Sequence, residues 1–331
     1  MRRALLLAAL ALAAVVGIAD GGSARVTNPR VGFVAYPGAT PTTRTLDGLA
    51  FTGFVRAQQR LAIRGRVQYI SPTQGPGTVM RSFSRQGYDL VTAPLFDSTA
   101  VDPMSRTYPR VHYVVLDAQP GLPPKRHAKN IHRIVFRAEQ AAYLAGYLSA
   151  LMADRAGGKP MISAVGGFPF YGVDRWVVGF RAGARRADPH IRVRVDYAKD
   201  FANPAKCRRL ALAQIASGSR VVFNVAGACG LGALTAARQR HVWGVGVDVD
   251  QSYLGPHILT SAVSRYDRGV FDAVHRFAEG RLGASAVYDL RNGGVELGRI
   301  NRRVPAELKR RVARVRGQIV NGTIVVSRPP G

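Results

Sequence analysis

The chain has 331 residues, a mass of 35.7 kDa and a formal net charge of +27. Hydrophobic residues make up 47% of it, which excludes a globally disordered chain and allows two lobes with sizeable cores. Only six of its 47 basic residues are lysines, and the arginines are scattered without a long basic tail. This dispersion favours a solvated basic surface over a nucleic-acid groove, and no specific nucleic acid is expected as a partner.

The N-terminal residues have the pattern of a secretory signal peptide. Arg2 and Arg3 precede an uncharged apolar run over residues 4–19, and small residues at 22–24 fit a cleavage site. The run is short for a membrane-spanning helix, and an uncleaved anchor is the alternative. No cysteine lies near the cleavage site, which excludes a lipoprotein. We therefore expect residues 1–24 to be removed and the mature protein to be soluble and extracytoplasmic.

The next part of the chain alternates short apolar strands with helices. Strands are predicted over residues 30–36, 66–70, 88–93 and 111–116, and helices over 46–61 and 79–86. This alternation favours a parallel sheet covered on both faces. Residues 121–130 are rich in proline, lysine and histidine, and they indicate a connector.

The same alternation restarts beyond the connector. Strands are predicted over residues 131–136, 160–165, 191–197, 220–226 and 241–247, and helices over 138–153, 175–186, 205–217 and 233–240. The tail, residues 304–324, holds one basic amphipathic helix and a hairpin-like end at 321–322. The sequence therefore predicts an α/β protein built from two successive wound units of similar size.

Residues at the carboxyl ends of the strands are informative, because ligands of open parallel sheets bind there. In this chain they are Tyr36, Asp117, Gly166, Phe201, Gly227 and Asp248. A carboxylate such as Asp248 can accept hydrogen bonds from two sugar hydroxyls, with a helix N-cap as the alternative. The glycine-rich residues 227–232 let backbone N–H groups approach a ligand, or form only a tight turn.

Several aromatic residues follow the same strand ends, where they can stack on a planar ligand or belong to the core. They are Phe168, Phe170, Tyr171, Trp176 and Phe201. Local patterns of catalysis are missing: there is no Gly-x-Ser-x-Gly and no His-Glu-x-x-His, and the seven histidines lack metal-ligand spacing. We therefore expect neither an enzyme, nor a metal, nor a cofactor.

Cys207 and Cys229 are the two cysteines of the chain. In an exported protein such a pair indicates a disulfide, with two buried free thiols as the alternative. Cys207 falls in the first turn of a predicted helix, and Cys229 follows the next strand. Both lie at the edge of the sheet where ligands bind. A disulfide there would pin a ligand-facing loop to a neighbouring helix.

Residues 136–148, FRAEQAAYLAGYL, resemble the F-x-x-E-x-A-Y-L-A-G signature of the basic membrane protein family. These are ABC-transporter solute-binding proteins of the purine-nucleoside-receptor type. This chain has one extra residue between the Glu and the Tyr. Further similar segments follow in order at residues 166–167, 179–183, 201–206, 225–232, 246–251 and 258–261. The resemblance spans residues 31–295.

The resemblance implies a type I periplasmic-binding-protein fold, in which two Rossmann-like lobes are joined by three hinge crossovers and close on a ligand. It places the first lobe at residues 28–131 plus 259–283 and the second at 132–258 plus 284–331. The crossovers are expected near His132, near Ile258 and after Gly283. The implied partners are a small polar solute, such as a nucleoside, and an ABC permease in the membrane. The protein is expected to be a monomer.

The resemblance also implies binding roles for Asp117, for Phe201 as a stacking ring, for Gly227, and for Asp248 as an acceptor of ribose hydroxyls. The remaining candidate ligand-binding residues are Asp47, Trp176 and Ser264.

Two positions depart from the family pattern. Leu46 replaces a stacking phenylalanine, and Ser264 replaces a lysine. Three other functions stay open beside transport: a sensory module of the same fold, an extracellular enzyme with an unrecognised site, and a basic nucleic-acid-binding protein.

Overall fold

The computed structural model describes residues 25–71, 73–93, 98–120, 124–125, 127–155 and 160–329, so the predicted signal segment lies outside the described residues. The strands are β1 (Arg30–Ala35), β2 (Arg64–Tyr69), β3 (Leu90–Ala93), β4 (His112–Val115), β5 (Ile131–Phe136), β6 (Met161–Gly166), β7 (Arg192–Tyr197), β8 (Val221–Val225), β9 (Trp243–Asp248), β10 (Ile258–Ser264), β11 (Ser285–Tyr288) and β12 (Val295–Leu297). The helices are α1 (Leu46–Arg60), α2 (Pro76–Arg85), α3 (Val101–Thr107), α4 (Ala138–Asp154), α5 (Tyr171–Ala187), α6 (Pro204–Ala216), α7 (Gly230–Gln239), α8 (Tyr266–Ala278) and α9 (Ala306–Val320), with a 3₁₀ turn at Ser252–Leu254.

The strands form two six-stranded sheets with matching topology. The first has the order β11-β5-β4-β3-β1-β2 and the second the order β12-β10-β9-β8-β6-β7. All pairs are parallel except β10 with β12, which is antiparallel. Replacing each strand of the first sheet by its counterpart therefore reproduces the strand order of the second sheet, and only the edge strand, β11 or β12, differs in direction. This confirms the predicted α/β fold with two Rossmann-like lobes.

The chain passes between the two sheets three times, after β5, after β10 and after β11. The crossovers predicted near His132, near Ile258 and after Gly283 therefore each come one strand too early. Tyr113 of β4 pairs with Ile131, which keeps β5 in the first sheet, and Gly244 of β9 pairs with Ile258, which keeps β10 in the second. An apolar strand has the same pattern in either sheet, so the sequence does not show which sheet it joins.

Each of the first two crossings delivers a helix to the other lobe. Helix α4 follows β5 of the first sheet but packs against α5 of the second lobe, and α8 follows β10 but packs against α1 of the first. Both contacts are close: a Cβ on Gly146 would lie 1.9 Å from the Phe180 carbonyl oxygen, and one on Gly53 would lie 2.1 Å from the Asp267 oxygen. The two lobes are therefore interwoven through their helices.

Helix α4 is buried on all sides from residue 138 to residue 153, as expected of a helix that is apolar around its whole circumference. The prediction missed α3 and all elements between β9 and α9. It also placed the beginning of α7 too late, because Gly230 and Gly232 form its first turn. The hairpin-like end was wrong: α9 ends in a turn at Gly322, and residues 321–329 form no strand. Within the described residues, no helix is long and apolar enough to cross a membrane.

Candidate ligand-binding cavity

A cavity of about 610 Å³ lies between the carboxyl ends of the two sheets, within the size range of small-molecule sites. The first lobe contributes Tyr36, Arg44, Thr45, Leu46, Asp47, Ser98, Val115, Leu116, Asp117, Ala118, Gln119 and Tyr266. The second contributes Phe170, Gly172, Val173, Arg175, Trp176, Phe201, Val225, Gly227, Ala228, Leu231, Val247, Asp248, Val249, Gln251 and Tyr253. Both lobes must therefore stay together to form the cavity.

Asp117 and Asp248 occupy matching positions in the two sheets. Asp117 follows β4 and Asp248 ends β9, and these two strands are counterparts. Both residues have left-handed backbones, with φ of 56° and 64°. Aspartate tolerates this region better than most residues. The turn beyond each strand thus directs one carboxyl group toward the space between the lobes.

Asp117 forms a buried ion pair with Arg175 of α5. Arg175 Nη1 donates to Asp117 Oδ1 at 2.8 Å, and Nη2 donates to Oδ2. Asp117 is 4% exposed and Arg175 2% exposed. Burial favours the neutral form of Arg175, but the Asp117 carboxylate outweighs it, so the guanidinium pKa lies above its ordinary value. Because Asp117 belongs to the first lobe and α5 to the second, this two-bond pair links the lobes.

Two further contacts complete the surroundings of that pair. The Tyr266 hydroxyl donates to Asp117 Oδ2 at 3.3 Å, and Arg175 Nη1 also donates to the Phe136 carbonyl at 3.3 Å. Arg175 Nε is buried and has no partner among the described residues, and the same holds for Gln119 Oε1. Both residues line the cavity, but these two atoms are themselves buried from solvent.

The carboxyl group of Asp248 has no hydrogen bond or ion pair within the described part of the chain. Burial raises its pKa to about 7, the negative charges of Asp117 and Asp47 act in the same direction, and Arg175 opposes them. The turn that carries it is fixed by Gln251, whose Oε1 accepts from the Val247 amide at 3.2 Å. The backbone of Asp248 is therefore fixed, while its carboxyl group faces the cavity without a partner.

Asp47 is a second carboxyl group in this situation. It lies in the first turn of α1, after Thr45, whose hydroxyl caps the helix by accepting from the Gly48 amide at 3.2 Å. Burial raises the Asp47 pKa to about 6. In the described residues it has neither a hydrogen-bond partner nor an ion-pair partner. The cavity thus receives one unpaired carboxyl group from each lobe.

Aromatic rings cover the second-lobe side of the cavity. Phe201 is 39% exposed, and its ring centroid lies 5.3 Å from that of Phe168 and 6.2 Å from that of Phe170. Trp176 is buried in the cavity wall. Gly227 has φ of +54°, which favours glycine, and it lies against Phe201. An exposed ring beside a backbone without a side chain leaves room for a flat ligand.

A disulfide joins Cys207 of α6 to Cys229, with the Cα atoms 5.5 Å apart. Both residues are fully buried. The Cys229 amide also donates to the Phe201 carbonyl at 2.9 Å. The covalent bond therefore fixes the segment that carries Gly227 beside Phe201.

Arg44 and Tyr253 meet between the two lobes at the exposed side of the cavity. The Arg44 guanidinium lies 4.3 Å from the centroid of the Tyr253 ring, within cation–π range. Arg44 precedes α1 in the first lobe, and Tyr253 lies in the 3₁₀ turn of the second. This is a second contact between the lobes, in a more exposed position than the Asp117 pair.

The structure brings together six of the seven candidate binding residues: Asp47, Asp117, Trp176, Phe201, Gly227 and Asp248 line the cavity. Ser264 does not. It ends β10, which is buried along its whole length, and Tyr266 two residues later lines the cavity instead. Of the other predicted aromatics, Phe170 is a lining residue, whereas Phe168 and Tyr171 are not.

The lining residues that sequence reasoning missed include Arg44, Arg175, Tyr253 and Tyr266. Arg175 carried one usable signal, because it directly precedes Trp176 in a helix that follows a strand end. Among the described residues, no three His, Cys, Asp or Glu side chains are grouped closely enough to hold a metal ion.

Comparisons with known proteins agree on the family. A model of the family described as ABC transporter substrate-binding protein PnrA-like matches residues 55–328. The chain is 30% identical over 270 residues to the ABC transporter nucleoside-binding protein BmpA of Lactococcus lactis, covering 75% of this chain and 74% of that protein. It is 29% identical over 227 residues to basic membrane protein A1 of Borrelia garinii, covering 66% and 65%.

A solved structure shows the same fold. It is an ABC-transporter solute-binding protein of Aeropyrum pernix, with a TM-score of 0.79 at 20% identity, covering 92% of this chain and 94% of that one. The resemblance seen in the signature at residues 136–148 is thereby confirmed. The chain belongs to the basic membrane protein family of ABC-transporter substrate-binding proteins.

Proposed function

We propose that this protein captures a nucleoside-like solute between its lobes outside the cytoplasm and presents it to an ABC permease. The observation that carries the proposal is the 610 Å³ cavity, which combines an exposed aromatic ring with unpaired carboxyl groups. A nucleoside has a flat base and a sugar with several hydroxyl donors. Its two parts therefore match the two kinds of lining group.

Phe201 is the proposed base-stacking ring, and Asp248 the proposed acceptor for sugar hydroxyls. A base lying on Phe201 would pass Gly227, where the absence of a side chain leaves space. An ionised Asp248 can accept two hydroxyl hydrogen bonds, and its lack of a protein partner leaves this capacity free. The named function of the Lactococcus lactis relative supports the same ligand class.

Leu46 modifies this picture on the opposite wall. It lines the cavity at the position where the family resemblance implies a second stacking ring. An aliphatic side chain packs against a base without the preferred geometry of ring stacking. We therefore propose that the base is held mainly from the second lobe, and that affinity depends more on Phe201 than on the first lobe.

We further propose that the protein acts as a monomer and binds its ligand without chemical change. Export would follow from the signal pattern of residues 1–24, and the Cys207–Cys229 disulfide suits an oxidising compartment. Closure of the two lobes around the ligand would create the surface that the permease recognises.

A thermal-shift screen tests the proposal. The purified protein is measured with nucleosides, free bases, sugars and amino acids, beside the variants Asp248→Ala and Glu307→Ala. A ligand at about 100 times its Kd stabilises the folded state by about 2.7 kcal/mol. We expect a shift with at least one nucleoside, lost in Asp248→Ala and kept in Glu307→Ala, because Glu307 is exposed on α9 away from the cavity. Shifts with another solute class only would contradict the nucleoside assignment.

A further inference from the structure

The lining of the cavity has a charge balance opposite to that of the whole chain. The chain carries a formal charge of +27. The cavity is lined by three aspartates, Asp47, Asp117 and Asp248, and by two arginines, Arg44 and Arg175. A strongly basic protein has therefore placed an excess of carboxyl groups where its ligand binds.

Neither arginine is available to the two unpaired carboxyl groups. Arg175 gives both of its terminal nitrogens to Asp117 and is almost completely buried. Arg44 is exposed and stacks on Tyr253, and it forms no ion pair within the described residues. Once the Asp117 pair is counted as neutral, Asp47 and Asp248 remain as the charged groups of the interior.

These two carboxyl groups belong to opposite lobes. Asp47 begins α1 of the first lobe, and Asp248 ends β9 of the second. Both line one cavity, and the Asp47 charge already acts on Asp248 across it, so the proposed closure of the lobes would enclose two like charges together. Burial raises the pKa of both groups, to about 6 for Asp47 and about 7 for Asp248, and the charge of Arg175 opposes the rise at Asp248 without cancelling it.

We infer that the natural ligand presents a positively charged nitrogen group to Asp47 and Asp248, so that the cation bridges the two lobes when they close. The chemical class is a nucleoside-like molecule that carries an amine. This inference rests on the proposed function. It makes Asp47 and Asp248 a joint specificity determinant that favours cationic ligands and rejects anionic ones.

The aromatic lining suits the same class. Phe201 exposes a large part of its ring, and ring faces attract cations. The basic exterior does not oppose binding strongly, because dissolved ions screen charges beyond about 8 Å at physiological ionic strength. A bound cation thus responds mainly to the two nearby carboxylates. A phosphate group at the same place would meet two negative charges, and Arg44, the lining arginine outside the Asp117 pair, lies over the Tyr253 ring.

The test varies only the charge of one ligand scaffold. Binding is measured by titration calorimetry at pH 7.5 for adenosine, 5′-amino-5′-deoxyadenosine, 3′-amino-3′-deoxyadenosine and adenosine 5′-monophosphate. We expect at least one amino nucleoside to bind about 10-fold tighter than adenosine or better, a gain of about 1.4 kcal/mol. We expect the monophosphate to bind at least about 10-fold more weakly than adenosine.

Two variants connect the preference to the named residues. Asp47→Asn and Asp248→Asn keep the shape of the side chain but remove one charge each, so the amino preference should fall by several-fold in either. Glu307→Gln removes one negative charge from the exposed surface of α9. The preference of this variant for amino nucleosides over adenosine should equal that of the wild type. Should an Asn variant fail to fold, the charge series on the wild-type protein decides alone.

Each contrary result has a separate meaning. If adenosine binds as tightly as both amino nucleosides, the inference is overturned while the proposed function stands. An amino preference that persists in both Asn variants also overturns the inference, because other residues then select the charge. If none of the four compounds binds, the inference is overturned, and the nucleoside assignment fails with it only when the thermal-shift screen also finds no nucleoside that binds.

Discussion

Asp117 and Asp248 end equivalent strands of two sheets that share one topology, and both have a left-handed backbone, yet their surroundings differ. Asp117 is enclosed by Arg175 and Tyr266 and links the lobes. Asp248 has no partner in the described structure, and its pKa is raised to about 7. The fold thus supplies the same carboxyl group twice. The residues opposite it decide whether it becomes a paired contact between the lobes or stays without a partner.

The comparison shows why position alone does not define a binding residue. Both aspartates were predicted to bind ligand from their place at a strand end, and both do line the cavity. A carboxylate that already accepts three hydrogen bonds has little capacity left for a ligand. In the first lobe the lining carboxyl group without a partner is therefore that of Asp47 in α1, not that of Asp117.

The largest effect on stability is expected from breaking the ion pair between Asp117 and Arg175. Arg175→Met leaves Asp117 buried without its cation, which should cost about 3–5 kcal/mol of unfolding free energy in a urea titration at pH 7.5. The double variant Asp117→Asn/Arg175→Met removes both charges and should recover a large part of this loss. A loss below about 1 kcal/mol in the single variant would show that the pair is not a structural link.

Removal of the disulfide in the second lobe should give the next largest loss of stability. Replacing both Cys207 and Cys229 with Ala removes a link that spans 22 positions, and chain-entropy estimates give a loss of about 3 kcal/mol. The measurement is urea unfolding with and without a reducing agent. Reduction should destabilise the wild type by the same amount and leave the variant unchanged. An equal effect of reductant on both proteins would contradict the expectation.

Replacing Asp248, whose carboxyl group has no partner, should raise the free energy of unfolding instead of lowering it. A raised pKa means that the folded state holds the Asp248 proton more tightly than the unfolded chain. The ionised group therefore costs stability progressively as pH rises from about 4 to about 7. Asp248→Asn removes this cost, so the ligand-free variant should be more stable than the wild type by roughly 2 kcal/mol at pH 8 and about equal to it at pH 4.

Thermal unfolding across this pH range measures the Asp248 effect. Glu307→Gln serves as the control, and its difference from the wild type should not change with pH in the same way. A variant at Asp248 that is less stable than the wild type at pH 8 would show that the carboxylate is paired in solution.

The smallest effect concerns the third contact of Asp117. Tyr266→Phe removes the hydroxyl that donates to Oδ2 at 3.3 Å and should cost about 1 kcal/mol. Tyr253→Phe is the matched control, because its hydroxyl has no hydrogen bond in the described residues. Equal stability of the two variants in urea would show that Arg175 alone satisfies Asp117.

The sequence predicted the fold class well because alternating apolar strands and helices are local patterns. It did not predict which sheet β5 and β10 join, because an apolar strand has the same pattern in either sheet and only its pairing, here with β4 and β9, decides the matter. Each predicted crossover was displaced for that reason.

The sequence predicted those site residues that lie at strand ends, and it was less informative about those that are placed by a side-chain partner from the other lobe. Asp248 and Phe201 could be found from their positions. Arg175 had only its place beside Trp176 as a signal, because arginine in a helix is usually exposed and its partner lies 58 residues earlier. Ser264 was chosen over Tyr266 because the family pattern counts along the chain, whereas the cavity begins only where β10 ends and α8 starts.

The interweaving of the lobes also determines when each of them can fold. The first sheet includes β11, and the first lobe includes α8, so both await residues 266–288. A chain that emerges from its N-terminus makes β1 to β5 early, but it leaves the outer edge of β5 unpaired until Tyr288 has arrived. For a chain that we propose is threaded through a membrane, this delay keeps the first lobe incomplete during most of its passage.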